Sequence, residues 1–217
     1  TAPSGLALLV AGGDNYTKST GVSLALSGSD NHSVPGYFLS ESSTTPGLGN
    51  FTSVTATDNY SASLGFTLSS GDGAKTVYGW LRDTAGNIGG SASDNISLDT
   101  TAPTVSVGSP SDNHSNSGPV SYTVRYTGAD NVTLVADNET VTATGTAAAG
   151  SKSVTGSGTA TRTITLDNLT GNGALTVSIA SGTANDFAGN SAPTASASDN
   201  ITVDNTAPSG LALTVAG

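Results

Sequence analysis

The sequence predicts an all-β protein in which short strands pair antiparallel. Every second residue is apolar in VSYTVRYT (Val120–Thr127), and VSLAL (Val22–Leu26) and ALTVSIA (Ala174–Ala180) alternate in the same way. A period of two residues is typical of strands with one buried face. No run shows the 3.6-residue period of an amphipathic helix. The alternation therefore favours a folded chain over a disordered one, although only 35% of the residues are hydrophobic and the net charge is −10.

A long repeat divides the chain into units. The tripeptide Thr-Ala-Pro begins at three positions, Thr1, Thr101 and Thr206, which are 100 and 105 residues apart. A fixed long period is typical of repeat arrays, in which each unit contacts mainly its neighbours. We therefore expect a first unit over residues 1–100, a second unit over 101–205, and the first strand of another first-type unit over 206–217.

The three copies of the repeat follow an A-B-A order. The opening TAPSGLALLVAG and the closing TAPSGLALTVAG differ only at Leu9 and Thr214, whereas the middle copy diverges after Pro103. The closing segment thus repeats the opening segment and not the middle one. We interpret the chain as a part of a longer array.

Turns rich in Gly and Asn separate about seven short strands in each unit. In the first unit the predicted strands are Leu6–Val10, Val22–Ser27, Gly36–Ser40, Phe51–Thr55, Ala62–Ser69, Thr76–Arg82 and Asp94–Asp99. In the second unit they are Thr104–Val107, Val120–Tyr126, Val132–Ala136, Thr140–Thr144, Thr161–Leu166, Ala174–Ala180 and Asn200–Asp204. Seven short strands joined by sequential hairpins predict tandem immunoglobulin-like antiparallel β-sandwiches.

Composition argues against several classes of partner. The chain has 6 Lys and Arg residues against 16 Asp and Glu residues, so it lacks the basic face that nucleic acids and anionic membranes require. No apolar stretch approaches the roughly 20 residues of a membrane-spanning helix. Cys is absent, which excludes disulfides and thiolate metal sites. We therefore expect neither nucleic-acid binding nor membrane insertion.

Two related segments resemble a known family. LRDTAGNIG (Leu81–Gly89) and ANDFAGNSAP (Ala184–Pro193) are each followed by a final strand and then by LDTTAP or VDNTAP. This order resembles the bacterial Ig-like repeats that are strung in tandem through giant secreted adhesins and extracellular surface fibres. The resemblance covers both units. It implies a spacer or structural role outside the cell or on its surface, without one particular ligand.

Candidate glycan acceptors are spread over both units. Ten Asn-x-Ser/Thr sequons have no Pro in the middle position, at Asn15, Asn31, Asn50, Asn59, Asn95, Asn113, Asn131, Asn138, Asn168 and Asn200. Asp precedes nine of the ten, the exception being Asn50. One interpretation is that Asp-Asn simply forms turns, since both residues bond their own backbone.

Three of these asparagines favour glycosylation over a turn. Asn95, Asn131 and Asn200 lie in predicted strands, where Asp and Asn are rare. Period-two alternation there points the apolar neighbours inward, so the Asn and its Ser or Thr share the solvent face. A bulky sugar needs that orientation. We therefore predict N-linked glycans, which are covalent partners of the chain.

The segments near the unit boundaries carry oxygen ligands. Asp83, Asn87 and Asp99 could meet at one end of the first sandwich, and Asp186, Asn190 and Asp204 repeat the pattern in the second. Six to eight oxygens are what Ca²⁺ prefers, so these residues are a candidate calcium site, although no cofactor is required. The alternative, which we favour, is that Asp-x-Ala-Gly-Asn forms a hairpin turn.

No group of residues predicts catalysis. His32 and His114, and likewise the only two glutamates, Glu41 and Glu139, are in different units. A paired-carboxylate hydrolase or a histidine-based site is thereby disfavoured. Trp80 is expected to pack in the core or cover an edge of the first unit. We do not expect an enzyme.

The preferred functional hypothesis is a structural repeat unit of a long extracellular filament or surface fibre. Its partners would be neighbouring identical repeats, joined in tandem in one chain or held between subunits by strand exchange. The alternative is an adhesin stalk or binding module that recognises surface glycans or other cells. Such a module needs clustered exposed aromatic side chains, for which the candidates in the first unit are Tyr16, Tyr37, Tyr60 and Trp80.

Overall fold

A computed structural model describes residues 1–195 and 199–210. Its contacts divide the chain into two units, Thr1–Thr101 and Ala102–Gly217. Strands joined by turns and three short 3-10 turns make up the described residues, which contain no α-helix. The predicted all-β fold class with antiparallel sheets is thus confirmed. Most of the predicted extra strand in 206–217 lies outside the described residues.

Six strands form the first unit. They are β1 (Ser4–Val10), β2 (Tyr16–Thr17), β3 (Gly21–Ser40), β4 (Thr52–Thr67), β5 (Gly73–Arg82) and β6 (Ala92–Leu98). Their order is β1-β3-β5-β6-β2, and β4 pairs with β3. All pairs are antiparallel except β2 with β6, which is parallel.

The long strand β3 joins two predicted strands into one. The sequence predicts a turn between Ser27 and Gly36, but the structure continues the strand through it, with a shift of register between Ser29 and Val34. The Asp30 carboxylate accepts the His32 N–H at 2.8 Å, so the turn-forming residues make a local bulge instead of ending the strand. The first half of β3 pairs with β1, and the second half pairs with β5. A similar merger unites two predicted strands in β4.

The inward faces of these strands form the first core. Alternate residues of β1, β3, β5 and β6 are buried, as the period-two pattern predicts: Leu8, Val10, Leu24, Leu26, Val77, Leu81 and Ile96. Trp80 is 2% exposed and lies 5.8 Å from Phe38 between ring centres. The prediction that Trp80 packs in the unit is therefore confirmed. Offset aromatic pairs of this kind add to the energy of burial.

The described residues of the second unit form ten strands. They are β7 (Thr104–Pro110), β8 (His114–Ser115), β9 (Val120–Thr127), β10 (Asn131–Val132), β11 (Glu139–Ala143), β12 (Ala148–Thr155), β13 (Thr161–Thr170), β14 (Gly173–Ile179), β15 (Ala184–Asn185) and β16 (Ile201–Val203). One sheet has the order β12-β13-β9-β7 and the other β11-β14-β16-β8, while β10 pairs with β15.

The second core lies between the two four-stranded sheets. Tyr122 of β9 and Ile164 of β13 pack from one sheet, and Leu175 of β14 and Ile201 of β16 pack from the other; all four are fully buried. Two sheets that bury their inner faces in this way form a sandwich. Strand β12 was not predicted. Its sequence AAGSKSVT is mostly exposed, because it lies at the end of its sheet.

Gly171 illustrates how closely the hairpin turns approach their neighbours. Its φ is +74°, and an added Cβ would lie 1.9 Å from the carbonyl oxygen of Thr146. Gly182 in the same unit has a similar φ of +78° but open space around it. An alanine at Gly182 would lose stability only through the left-handed backbone conformation, whereas an alanine at Gly171 would also clash with Thr146.

We predict that Gly171→Ala lowers the free energy of unfolding of the second unit by roughly 3 kcal/mol or more, since strain and overlap add. Gly182→Ala should cost about 1 kcal/mol, from the left-handed conformation alone. Urea denaturation of both variants measures the difference. Equal losses would contradict the packing around Gly171.

Candidate functional site

The strands present the candidate acceptor asparagines to solvent. In the sequons of Asn59, Asn95, Asn168 and Asn200 the middle residue is buried, and the asparagine before it is exposed. Tyr60, for example, is 6% exposed in the first core. Because successive residues of a strand face opposite sides, burial of the middle residue turns both the Asn and its Ser or Thr outward. The predicted orientation is therefore present in these sequons.

Nine of the ten candidate acceptors are exposed residues. They are Asn15, Asn31, Asn50, Asn59, Asn95, Asn113, Asn131, Asn168 and Asn200. Several side chains also make local contacts: the Asn95 Oδ1 accepts a hydrogen bond from Thr76 at 2.6 Å, and the Asn168 amide donates to Ser151 at 3.2 Å. These contacts lie on the solvent face of the sheets. They orient the amides without burying them.

The aspartates that precede these asparagines have a structural role. The Asp94 carboxylate accepts the backbone N–H groups of Val10 and Asn95, at 2.8 and 2.9 Å. In the second unit, Asp112 accepts the N–H of His114 at 3.1 Å, as Asp30 does for His32 in the first. Local bonds from Asp to the backbone are typical of turns and strand ends. For Asp30, Asp94 and Asp112, bonding to the backbone therefore accounts for the Asp before the Asn without a glycan.

The sequon at Asn138 differs from the others. Asn138 is half-buried, and its Oδ1 accepts the N–H of Val135 at 3.0 Å, which closes a 3-10 turn. The middle residue is Glu139, whose side chain is completely buried. Neither carboxylate oxygen of Glu139 has a hydrogen-bond partner, and the nearest cation, the Lys152 ammonium, is 4.0 Å away. Of the ten sites, Asn138 is the one that is not exposed, and its side chain closes a turn.

Burial raises the pKa of Glu139 to about 7, and the nearby Lys152 ammonium limits the increase. The sequence did not indicate this residue, because a single Glu in a polar sequon predicts an exposed side chain. The position of Glu139 at the first residue of β11 turns it into the space between the two sheets.

The candidate calcium residues are arranged as turns. In the first unit, the Asp83 carboxylate accepts the backbone and side-chain N–H groups of Asn87, both at 2.7 Å. Asp186 and Asn190 form the same pair of bonds in the second unit, both at 2.8 Å. These contacts match the turn interpretation, in which Asp bonds its own loop.

The structure does not bring Asp99 to the end of the first unit where Asp83 and Asn87 lie, as a calcium site there would require. Strands β5 and β6 are antiparallel, with Gly73 opposite Leu98, so Asp99 lies beside the start of β5. Asp83 follows the end of β5, which places it about 30 Å away at 3.3 Å per residue. The described residues contain no group of three or more Asp, Glu, His or Cys that could hold a metal ion.

The corresponding residues of the second unit are separated in the same way. Strand β14 begins opposite the end of β16, with Gly173 facing Val203, so Asp204 lies at the start of β14. Asp186 and Asn190 come after the end of β14. The structure therefore brings Asp186 and Asn190 together but leaves Asp204 at the other end of the strand.

Asp72 holds the segment that leaves the first unit. Its carboxylate accepts the backbone N–H of Thr100 at 3.0 Å and the hydroxyl groups of Thr100 and Thr101, both at 2.8 Å. Asp99 accepts the N–H of Thr101 at 3.0 Å. The side-chain hydrogen bonds from Thr100 and Thr101 lower the pKa of Asp72. We call Asp72, Asp99, Thr100 and Thr101 the exit clamp of the first unit.

The second unit has an equivalent clamp. Asn172 replaces Asp72 in the matching hairpin turn, and its Oδ1 accepts the N–H of Asn205 at 2.7 Å. The Asn205 amide donates to the carbonyl of Gly171 at 2.8 Å, and Asp204 accepts the N–H of Thr206 at 2.9 Å. Both clamps use a short Gly-rich turn that can be recognised in the sequence. The turns SGDG and TGNG precede the two Thr-Ala-Pro segments by a similar distance.

Comparisons with known proteins identify similarity to solved structures only. No protein-family model and no curated protein matches this chain. Solved structures with some similarity include the D00-D0 domain of intimin (13% identity, TM-score 0.35, covering 92% of this chain and 100% of that one). The fibronectin(III)-like modules of Clostridium thermocellum CbhA have 12% identity and a TM-score of 0.36, with 90% of this chain and 93% of that one covered. Titin A168169 has 13% identity and a TM-score of 0.28, with 94% of this chain and 98% of that one covered.

Among the described residues, no helix has the length and apolar character needed to cross a membrane.

For the exit clamp we predict that Asp72→Ala accelerates hydrogen exchange at the Thr100 amide, because that N–H loses its acceptor. Protection in the parent chain should be complete above the ordinary Asp pKa of 3.8 and lost as the pH falls through the lowered pKa of folded Asp72. Asp58→Ala is the matched control, since Asp58 bonds Ser33 instead of the linker. Equal exchange in both variants would contradict the clamp.

For Glu139 we predict that the second unit is more stable in acid. The raised pKa means that this stabilisation is complete below 4.5 and is lost as the pH rises through about 7. Glu139→Gln should remove a pH dependence on the order of 2 kcal/mol, measured by denaturation between pH 4 and pH 8. Glu41→Gln, which changes the other glutamate, should leave it in place. A parent profile that is flat over this range contradicts the burial of Glu139.

Proposed function

We propose that the chain is a structural repeat unit of a long extracellular filament or surface fibre, with N-linked glycans on its outward-facing asparagines and no catalytic activity. The observation that carries the proposal is that the chain enters each unit at one end and leaves it at the other. Units whose two chain ends lie at opposite ends can follow one another in a linear array.

The path through the first unit supports this proposal. Pro3 lies against Gly89, close to the end of β5, since a Cβ on Gly89 would be 2.5 Å from the Pro3 carbonyl oxygen. The chain leaves beside Gly73, at the start of β5, because Gly73 pairs with Leu98. The ten residues of β5 separate the two points by about 30 Å.

The second unit has the same organisation. The chain enters beside the end of β9, where Thr104 pairs with Thr127. It leaves after Val203, which pairs with Ser115 of β8, a few residues before β9 begins. The exit clamps then fix the first residues of each linker by hydrogen bonds to the unit that they leave. Linkers held in this way lose conformational freedom at the point where they leave each unit.

The positions of the candidate acceptors also fit a surface fibre. Asn15 directly precedes β2, and Asn113 directly precedes β8; each of these strands is at the end of its sheet. An end strand offers unpaired backbone groups to other chains, and Lys side chains often prevent this. With only 6 Lys and Arg residues in the chain, sugars at these positions would supply the missing protection.

The alternative adhesin function has less support from the aromatic side chains. Of the four candidates, Tyr60 and Trp80 are in the core of the first unit, 6% and 2% exposed. Tyr37 is half-buried and its ring is tilted against that of Tyr60, with 6.1 Å between ring centres. Tyr16 is 44% exposed. The four rings therefore do not form an exposed binding platform.

Glycopeptide mass spectrometry of protein isolated from its native cells tests the glycan coat. We expect sugar on the exposed acceptors and none on Asn138, whose side chain closes a turn. Ser97→Ala should remove one glycan, that of Asn95, while Thr140→Ala should leave the mass of the sugar unchanged. Unmodified asparagines throughout the native protein would overturn the glycoprotein part of the proposal.

A further inference from the structure

The closing segment of the chain repeats strand β1 at each of its inward-facing positions. In β1, Leu8 and Val10 are 6% and 0% exposed, and Leu6 packs against the same core. The residues at the matching positions of the closing segment are identical: Leu211, Leu213 and Val215. Any strand with these three side chains would fill the space under β1 as well as β1 does.

The single difference between the two segments falls on the solvent side. Leu9 is 49% exposed, and Thr214 takes its place in the closing segment. A change from Leu to Thr at such a position removes exposed apolar surface and keeps a residue that favours strands. The core-facing surface is preserved, and the outer face becomes more polar.

The two segments also share the feature that sets the register of the strand. Gly5 has a φ of +63° and lies in the shift of register between Ser4 and Ala7, where β1 pairs with β3. Its counterpart Gly210 likewise has a positive φ, +81°. Glycine adopts this conformation without the penalty that other residues incur. Gly210 therefore has a positive φ at the position that matches Gly5.

The middle copy of the repeat differs, so the sequence Ser-Gly-Leu-Ala-Leu begins only the first type of unit. Strand β7 begins with Thr104 and Val105 and pairs with β9 in the second unit. It lacks the glycine of the Ser-Gly-Leu sequence. The closing segment is thus suited to a unit of the first type and not to one of the second.

The site that would accept the closing segment is at the edge of a sheet. In the described residues, β1 is the last strand of its sheet and pairs only with β3, through five residue pairs. A terminal strand at an edge can be replaced without rethreading the rest of the chain. Exchange of an identical element between copies is a common route to assembly.

We propose that residues 206–217 of one copy take the place of β1 in the first unit of a second copy of this chain, antiparallel to β3. The contact is between different surfaces of the two copies, so repeating it produces an open, head-to-tail filament. The inference rests on the proposed filament function and specifies how its units would be joined. The alternative source of such a strand, the next repeat of the same polypeptide, is separated by the experiment below.

A disulfide trap tests the exchange in the full chain, which has no cysteine of its own. Leu9 pairs with Ala25, so Thr214 of a second copy would face Ala25. We expect Ala25→Cys with Thr214→Cys to give a ladder of disulfide-linked multimers that disappears on reduction and grows with protein concentration. The matched control, Ala25→Cys with Leu9→Cys, should give a monomer with an internal bond, which also checks the geometry of the pair.

A second measurement weakens the competing strand. Leu8→Asp should disfavour the chain's own β1 and raise the association constant by about 100-fold or more, as measured by light scattering of the full chain. Adding Leu213→Asp should return it to a monomer, whereas Thr214→Leu should not. The proposal fails if Leu8→Asp is as monomeric as the double variant, or if the 25–214 bond forms only within monomers. Neither result alters the glycan masses, so the two proposals are tested separately.

Discussion

The alternation of side chains along the strands is the constraint on which the rest of this structure depends. With only 35% hydrophobic residues, the chain can build two cores only if nearly every large apolar side chain faces inward. Strand β9 shows how strictly this holds: Val120, Tyr122, Val124 and Tyr126 are all buried, and the residues between them are not. The same alternation places Asn59, Asn95, Asn168 and Asn200 on the outside, so one pattern determines both the core and the exposure of these asparagines.

Short polar side chains perform much of the work that bulkier residues do in other sandwiches. Asp30, Asp94 and Asp112 bond to backbone N–H groups at bulges and strand ends, where an unpaired donor would be costly if buried. Asp72 and Asn172 bond to the linkers in the same manner. A small side chain with two acceptor positions can close a turn without occupying the core. This explains how a chain so rich in Asp, Asn, Ser and Thr maintains a defined fold.

The fold class could be predicted from the sequence because alternation is a local property of each strand. The limits of the strands were harder to predict. Residues such as Asp30 and Asn31 indicate a turn, yet in β3 they form a bulge because both halves of the strand have partners. Strand β12 escaped prediction because an edge strand buries little, so AAGSKSVT has no clear apolar face. Its existence depends on pairing with β13, which a single sequence does not reveal.

The features of the candidate sites that follow from a local sequence pattern could also be predicted, and those that depend on distant segments could not. The outward orientation of Asn95 and Asn200 follows from the local pattern, and the Asp83–Asn87 turn follows from a five-residue motif. The separation of Asp83 from Asp99 requires knowledge that β5 and β6 are antiparallel over their whole length. The burial of Glu139 likewise depends on which strands surround the start of β11. Contacts between distant segments are what the sequence could not supply.

Because the chain enters and leaves the first unit at opposite ends, a pull on these two ends would load β1 lengthwise against β3. Hydrogen bonds between strands lie perpendicular to the strand direction, so such a force would shear them together instead of unzipping them one after another. The five pairs between β1 and β3, together with the bond from Val10 to Asp94, would share the load. The resistance of the unit to such a pull would thus follow from where its two ends lie.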